Sequence, residues 1–140
     1  MLNIIFENQT SKDISLDVLK TIAIEFSKKD IEFILCYNDY IQDINFQFRQ
    51  KNTPTDVLSF PYENMPLAPL GSIVISIDFV KQNAKEFNHS FDDELTLLFI
   101  HGLLHLLGYD HEVDNGEHRT KEEEIIKKYG LPSSLIVRNS

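Results

Sequence analysis

The chain has 140 residues, of which 42% are hydrophobic and 25% charged, and this size and composition are typical of one globular domain covering residues 1–140. Its formal net charge of −9 argues against tight, non-specific binding to nucleic acid, because proteins that bind this way usually carry a basic surface. A single cysteine excludes an internal disulfide, and no apolar run approaches the roughly 18 residues of a membrane span, so we expect a cytoplasmic protein without a secretory signal or a membrane partner.

The first half of the chain alternates predicted strands and helices. Leu2–Phe6 is a short apolar run with β-branched residues and predicts a strand. Ser15–Lys29 carries apolar residues at helical spacing and predicts a helix, with Ser15 as its N-cap. Ile31–Tyr37 predicts a second strand that contains the cysteine as a buried residue, and Asn38–Phe48 predicts a short helix.

The second half begins with two strands and then becomes helical. Asp56–Phe60 and Ser72–Ile77 predict strands, and the loop between them contains three prolines, which indicates irregular surface structure. Helical periodicity predicts three further helices, at Asp78–Phe87, Asp92–Leu107 and Glu117–Tyr129. Strands interleaved with helices early, and helices clustered late, favour an α+β fold with one mixed four-stranded sheet and about five helices.

Two histidines interrupt an otherwise apolar helix. Leu95–Leu107 is apolar except at Thr96, His101, Gly102 and His105. A helix that is apolar on all sides is buried on all sides, so the two histidines are predicted to lie in the core. They are four residues apart and therefore share a face, and burial favours the neutral imidazole that binds metal ions.

A third histidine completes a metal-binding pattern, His-x3-His-x2-Gly-x2-His. Gly108 can adopt the left-handed conformation that ends a helix, after which the chain turns and returns His111 toward His101 and His105. Three imidazoles with one open position are typical of a catalytic zinc site. We therefore predict one divalent metal ion with zinc as the expected ion, although nickel also accepts three imidazoles. The alternative of three inert core histidines fits this spacing poorly.

Gly102 separates this pattern from the metzincin proteases, which share the histidine spacing. Those enzymes carry a glutamate at this position as the general base of peptide hydrolysis. Without that base, proteolysis by the same mechanism is impaired. A metzincin-like metallohydrolase acting on another substrate stays open as an alternative, with Glu63, Glu112 or Asp114 as the base.

Three sequence blocks agree with one known family. They are HGLLHLLGYDH at residues 101–111, RQKNTPTDVLSFP at residues 49–61 and LGSIVIS at residues 70–76. Ala84–Phe87 and the Glu94-Leu95 pair match in register as well, so the agreement covers roughly residues 45–112. These blocks resemble the YbeY family, bacterial endoribonucleases of ribosomal RNA maturation. One departure is Ser72, which stands where that family usually has aspartate.

The resemblance implies a metal-dependent endoribonuclease that cleaves single-stranded RNA. It further implies a role in maturing the 3′ end of the small-subunit ribosomal RNA and in ribosome quality control, with the small subunit or its proteins as partners. In the family pattern His101, His105 and His111 hold the metal, and Arg49 is the functional arginine. A non-catalytic ribosome assembly factor, whose fold the metal stabilises, is the second alternative.

Several side chains have a functional and a structural interpretation. Arg49 is suited to binding a phosphate bidentately as the catalytic and substrate-binding residue. Lys51 either extends a phosphate track or is a solvated lysine, and Asp110 either orients a ligand histidine or caps a turn. His89 and His118 lie in polar surroundings and are expected to be exposed, and residues 121–128 are expected to form a solvated, ion-paired helix face. Attack by water and attack by the RNA 2′-hydroxyl both stay open, and 2′,3′-cyclic phosphate ends would identify the latter.

Overall fold

The computed structural model describes residues 2–110 and 113–132, and strands alternate with helices over the first part of this range. The strands are β1 (Ile4–Asn8), β2 (Ile31–Cys36), β3 (Val57–Pro61) and β4 (Gly71–Ser76). The helices are α1 (Asp17–Ile24), α2 (Asn38–Arg49), α3 (Ile77–Glu86), α4 (Phe91–Leu106) and α5 (Glu117–Lys128). Within these residues, no helix is long and apolar enough to cross a membrane.

The four strands form one mixed sheet in the order β1-β2-β4-β3. The pairs β1–β2 and β2–β4 are parallel, with Ile4 opposite Ile31 and Phe33 opposite Ile73. The last strand, β3, runs antiparallel to β4 and forms one edge of the sheet. The predicted α+β fold with a mixed four-stranded sheet and five helices is therefore confirmed.

Helices cover both faces of the sheet. Successive strand residues point to opposite faces, so apolar side chains are packed on each side. On one face, Phe33 and Ile73 pack in the main core with α1 and α4, and the ring of Phe33 meets that of Phe99 edge-on, with 5.6 Å between the centroids. On the other face, Cys36 and Val74 pack with α2. Cys36 is fully buried, as predicted, and this burial raises the pKa of its thiol to about 12.

The first two elements differ from their predicted bounds. β1 begins at Ile4 rather than at Leu2, because its pairing with β2 begins there. α1 covers only Asp17–Ile24, and the prediction of Ser15 as its N-cap is wrong. Leu16 holds the N-cap position, while the Ser15 hydroxyl accepts a hydrogen bond from the Asp17 amide in a local turn.

Candidate metal centre

The apolar helix of the sequence is α4, and the two histidines lie on one of its faces. The helix begins after Ser90, whose hydroxyl accepts a hydrogen bond from the Asp93 amide as an N-cap. Residues 94–100 and 102–104 are all buried, so the helix is enclosed except on the flank of His101 and His105, which lie at the edge of the core and not inside it as predicted. His101 and His105 are half-buried and share a face, with 4.9 Å between their ring centroids.

Gly108 ends α4 as its spacing predicted. Its φ of 100° lies in the region that favours glycine, and the Tyr109 amide donates to the carbonyl of Leu104 over 3.0 Å. This arrangement turns the chain sharply after the helix. His111, the third predicted ligand, lies outside the described residues, so its role stays a prediction.

A histidine from α5 joins the pair on α4. The ring centroid of His118 lies 4.5 Å from that of His101 and 4.7 Å from that of His105. One ring nitrogen from each of the three histidines lies within 4.8 Å of the others. The expectation that His118 is exposed is wrong, since only 1% of its surface is exposed. The reason is that α5 packs against α4 through a buried stripe of His118, Glu122, Ile125 and Ile126.

Glu122 supplies the negative charge of this cluster. Its carboxylate is buried, hydrogen-bonds with Nδ1 of His101 and lies 3.2 Å from Nε2 of His118. Burial alone would raise the pKa of this carboxyl, but the hydrogen bonds from His101 and His118 outweigh burial and hold its pKa at about 2. Glu122 is therefore ionised, and the prediction of a solvated 121–128 face is wrong at this residue.

The donor set fits a divalent transition metal. Imidazole nitrogens suit zinc, nickel and related ions, and three of them meet here within the range that one ion can bridge. When Nδ1 of His101 donates to Glu122, the Nε2 lone pair of that ring is available to an ion. A carboxylate behind a ligand histidine is the usual partner that fixes the tautomer and the orientation of the ring.

Comparisons with known proteins show the family of this chain. A sequence model of the endoribonuclease YbeY family matches residues 3–130. The chain belongs to this family. Proteins named endoribonuclease YbeY from Nautilia profundicola and Aliarcobacter butzleri are 62% and 61% identical to it, over 96% of this chain in both cases and over 96% and 97% of the relatives. A solution structure from Thermotoga maritima has 33% identity, a TM-score of 0.58 and coverage of 96% of this chain and 95% of that one.

The other predicted site residues, Arg49, Lys51 and Asp110, lie on the surface or in a turn. Arg49 is the last residue of α2 and is exposed, and Lys51 is exposed two residues later. Asp110 is half-buried, and its carbonyl accepts hydrogen bonds from the amides of Val113 and Asp114. The catalytic, substrate-binding and orienting roles that the sequence assigns to these side chains stay predictions.

Gly102 packs against the sheet and does not face the histidines. A Cβ atom at this position would lie 2.9 Å from Cγ2 of Ile73 and 3.0 Å from the Ser59 hydroxyl. The same hydroxyl donates to the Gly102 carbonyl over 3.2 Å. There is no room here for the glutamate of a metzincin protease, so the protease-like alternative depends on a base elsewhere in the chain.

Ser72, the departure from the family pattern, lies on the opposite face of the sheet. It alternates with Ile73, which faces α4, so its side chain points away from the histidine cluster. The Tyr62 hydroxyl lies near Ser72 and Glu32 there, and burial together with the Glu32 carboxylate raises the pKa of Tyr62. A side chain at position 72 therefore does not contact the histidines, so the absence of the aspartate removes no contact to the metal cluster.

His89 is the second histidine whose predicted exposure is wrong. Its side chain is 3% exposed, and Nε2 lies 2.8 Å from Oε1 of Glu94, which is fully buried. The polar residues next to His89 in the sequence do not indicate this burial. It arises because the turn between α3 and α4 folds the ring back onto the first turn of α4. This pair is separate from the three-histidine cluster.

Proposed function

We propose that the chain is a metal-dependent endoribonuclease that cleaves single-stranded RNA. The observation that carries this proposal is the cluster of His101, His105 and His118 beside the buried carboxylate of Glu122, in a chain whose residues 3–130 match the endoribonuclease YbeY family. A divalent ion bound here supplies Lewis-acid chemistry for phosphodiester cleavage, and zinc is the proposed ion.

The proposed ligands are His101, His105 and His111. The first two belong both to the sequence pattern and to the observed cluster. An ion that acts on a polymer must be accessible, and the side chain of His101 is 22% exposed whereas that of His118 is 1% exposed. We therefore assign the third position to His111, as the family resemblance implies, and place His118 on the inner side of the site beside Glu122.

The remaining residues bind substrate and hold the ligands in place. Glu122 fixes the ring of His101 through Nδ1. Arg49 binds a phosphate of the substrate bidentately and offsets its charge, and Lys51 extends that contact. Asp110 orients a ligand histidine from the turn after α4.

The proposed substrate is the 3′ end of the small-subunit ribosomal RNA. A net charge of −9 gives the chain weak electrostatic attraction to free RNA, so an assembled partner is needed to bring the substrate close. We propose the small ribosomal subunit or its proteins as that partner, and the cytoplasm as the compartment.

The test compares three proteins on three substrates. Wild type, His105→Gln and His89→Gln are each incubated with single-stranded RNA, duplex RNA and casein, with and without a chelator. His89 is the matched control, because it is also a buried histidine with a carboxylate partner but lies outside the cluster. We expect chelator-sensitive cleavage of single-stranded RNA by wild type and His89→Gln, and none by His105→Gln.

Other outcomes would contradict the proposal. Cleavage of casein alone would favour the protease-like hydrolase. RNA cleavage that resists the chelator would indicate a contaminating nuclease. A wild type that binds metal and the small subunit, but cleaves no RNA, would favour the non-catalytic assembly factor.

A further inference from the structure

The free edge of β3 has an unusual pattern of hydrogen-bond donors. The Tyr62 amide donates to the Leu70 carbonyl, and the Ser76 amide donates to the Asp56 carbonyl. In an antiparallel pair only alternate residues exchange hydrogen bonds with the neighbouring strand, so Leu58 and Phe60 bond to β4. The main-chain groups of residues 57, 59 and 61 consequently point away from the sheet.

Only one of these three positions offers a donor to a ligand. The Val57 amide already donates to Oδ1 of Asp56 over 2.8 Å. Pro61 has no amide hydrogen. The register directs the Ser59 amide away from β4, it takes part in none of the other hydrogen bonds found among the described residues, and Ser59 is half-buried rather than covered. The edge is thus blocked at both ends and open at Ser59, whereas edge strands are usually protected along their length.

Ser59 is in contact with the helix that carries the histidines. Its hydroxyl donates to the carbonyl of Gly102, the residue that follows His101. This contact places the open amide next to the segment of α4 on which the metal cluster is built.

The histidines lie on the flank of α4 that is closest to this edge. Successive helical residues are rotated by about 100°, so Phe99 and His105 lie about 60° to opposite sides of Gly102. Phe99 contacts Phe33 of β2, toward the centre of the sheet. His105 therefore faces the other way, past β4 toward the free edge of β3, and His101 lies on the same flank.

We propose that the main-chain amide of Ser59 donates a hydrogen bond to a phosphate oxygen of an RNA strand that lies along the free edge of β3, beside the metal cluster. This inference rests on the proposed function and adds a substrate-binding group to it. A neutral amide held by a strand binds phosphate without a lysine or arginine, which suits so acidic a chain. The Asp56 carboxylate at the neighbouring outward position repels a second phosphate and so fixes the register of the strand.

The genetic test removes the amide hydrogen by a Ser59→Pro substitution. Proline is tolerated on an edge strand where the amide points outward. Ser59→Ala is the reference, because it also lacks the hydroxyl but keeps the amide. Relative to Ser59→Ala, we expect Ser59→Pro to weaken binding of a 2′-O-methyl oligoribonucleotide, measured with a chelator present so that neither route of attack cleaves it. We also expect kcat/KM on unmodified single-stranded RNA to fall about 10- to 100-fold, the range of a hydrogen bond to a charged group. Zinc content should match that of Ser59→Ala.

A second measurement needs no substitution and covers the case in which Ser59→Pro does not fold. In the ¹⁵N–¹H spectrum of the intact protein, the Ser59 amide should shift downfield on titration with the 2′-O-methyl strand, while the Leu58 amide, bonded into the sheet, should not. A Ser59 resonance that stays in place while the strand binds would overturn the inference, as would equal binding by Ser59→Pro and Ser59→Ala. Because both binding measurements are made with a chelator present, these outcomes are independent of whether the wild type cuts RNA.

Discussion

Nδ1 of His101 on α4 hydrogen-bonds with Oε1 of Glu122 on α5, 21 residues further along the chain. The carboxylate is almost fully buried and is held ionised by its two histidine neighbours. It connects two helices at the point where the metal cluster is formed. A buried charge in this position stabilises the native state only while its partners are present. Packing of α5 and the geometry of the site therefore depend on each other.

Replacing Glu122 with glutamine should weaken metal binding without leaving a cavity in the core. The amide keeps the volume but loses the charge that orients His101, and loss of such a partner typically costs about 10- to 100-fold in metal affinity. Zinc affinity is measured by competition with a chelator of known strength. Glu124→Gln, an exposed change on the same helix, is the control. Equal zinc affinity in the two variants would show that Glu122 does not support the site.

Substitution of the two candidate third ligands should separate them. We expect His111→Ala to lose stoichiometric zinc, whereas His118→Ala keeps one ion per chain at reduced affinity, because His118 is buried behind the accessible side of the site. Metal content after dialysis, measured by mass spectrometry, gives the answer. The reverse pattern would assign the observed cluster of His101, His105 and His118 as the complete ligand set.

Removing Arg49 should reduce RNA cleavage while the fold and the metal content stay unchanged. The residue is exposed at the end of α2, so its loss leaves no cavity, but a bidentate phosphate contact worth about 10- to 100-fold in kcat/KM disappears. The slope of RNA affinity against salt should also fall by about one. Lys81→Ala on α3 removes an exposed cation elsewhere and serves as the control. Full cleavage by Arg49→Ala would refute the role assigned to it.

The buried thiol of Cys36 should make stability fall in alkali. Burial raises the pKa of this thiol from its ordinary value of 9.0 to about 12 in the folded chain. The stabilising effect is complete below pH 9, where the thiol is protonated in both states. As the pH rises from 9 toward 12, the unfolded chain releases this proton before the folded chain does. The free energy of unfolding therefore falls by up to about 1.4 kcal/mol per pH unit.

The difference between wild type and Cys36→Ala isolates this effect from other titrating groups. Free energies of unfolding from urea titrations at several pH values above neutrality should show wild type losing stability faster than the variant once the pH passes 9. A difference that is constant with pH would mean that the thiol is not shielded as the structure shows.

Local patterns were sufficient to predict the elements and the first half of the site. The apolar run of α4 and the spacing of His101 and His105 determine both burial and a shared face, since these depend only on helical periodicity. Gly108 likewise ended the helix as expected. The mixed sheet followed from the order of strands and helices, although the position of β3 at one edge depends on long-range pairing.

The other half of the site depends on how α5 packs, which periodicity alone does not give. Glu122 stands within a charged run that predicts a solvated face, and the polar surroundings of His118 predict exposure, yet both residues are buried. A signal was present nonetheless. His118, Glu122, Ile125 and Tyr129 recur at helical spacing, so the two polar residues lie on the same stripe as the apolar ones. Two polar residues on an otherwise apolar helix stripe are expected to be buried when a hydrogen-bonding partner such as His101 lies opposite them.

Reconstitution of the metal-free protein tests the central claim most directly. Wild type stripped by a chelator is titrated with zinc, and bound metal and cleavage of single-stranded RNA are measured on the same samples. We predict that cleavage is absent without metal, rises in proportion to bound zinc and reaches its plateau at one ion per chain. Cleavage that is already complete in the metal-free protein, or that stays absent when one ion is bound per chain, would contradict a metal-dependent endoribonuclease.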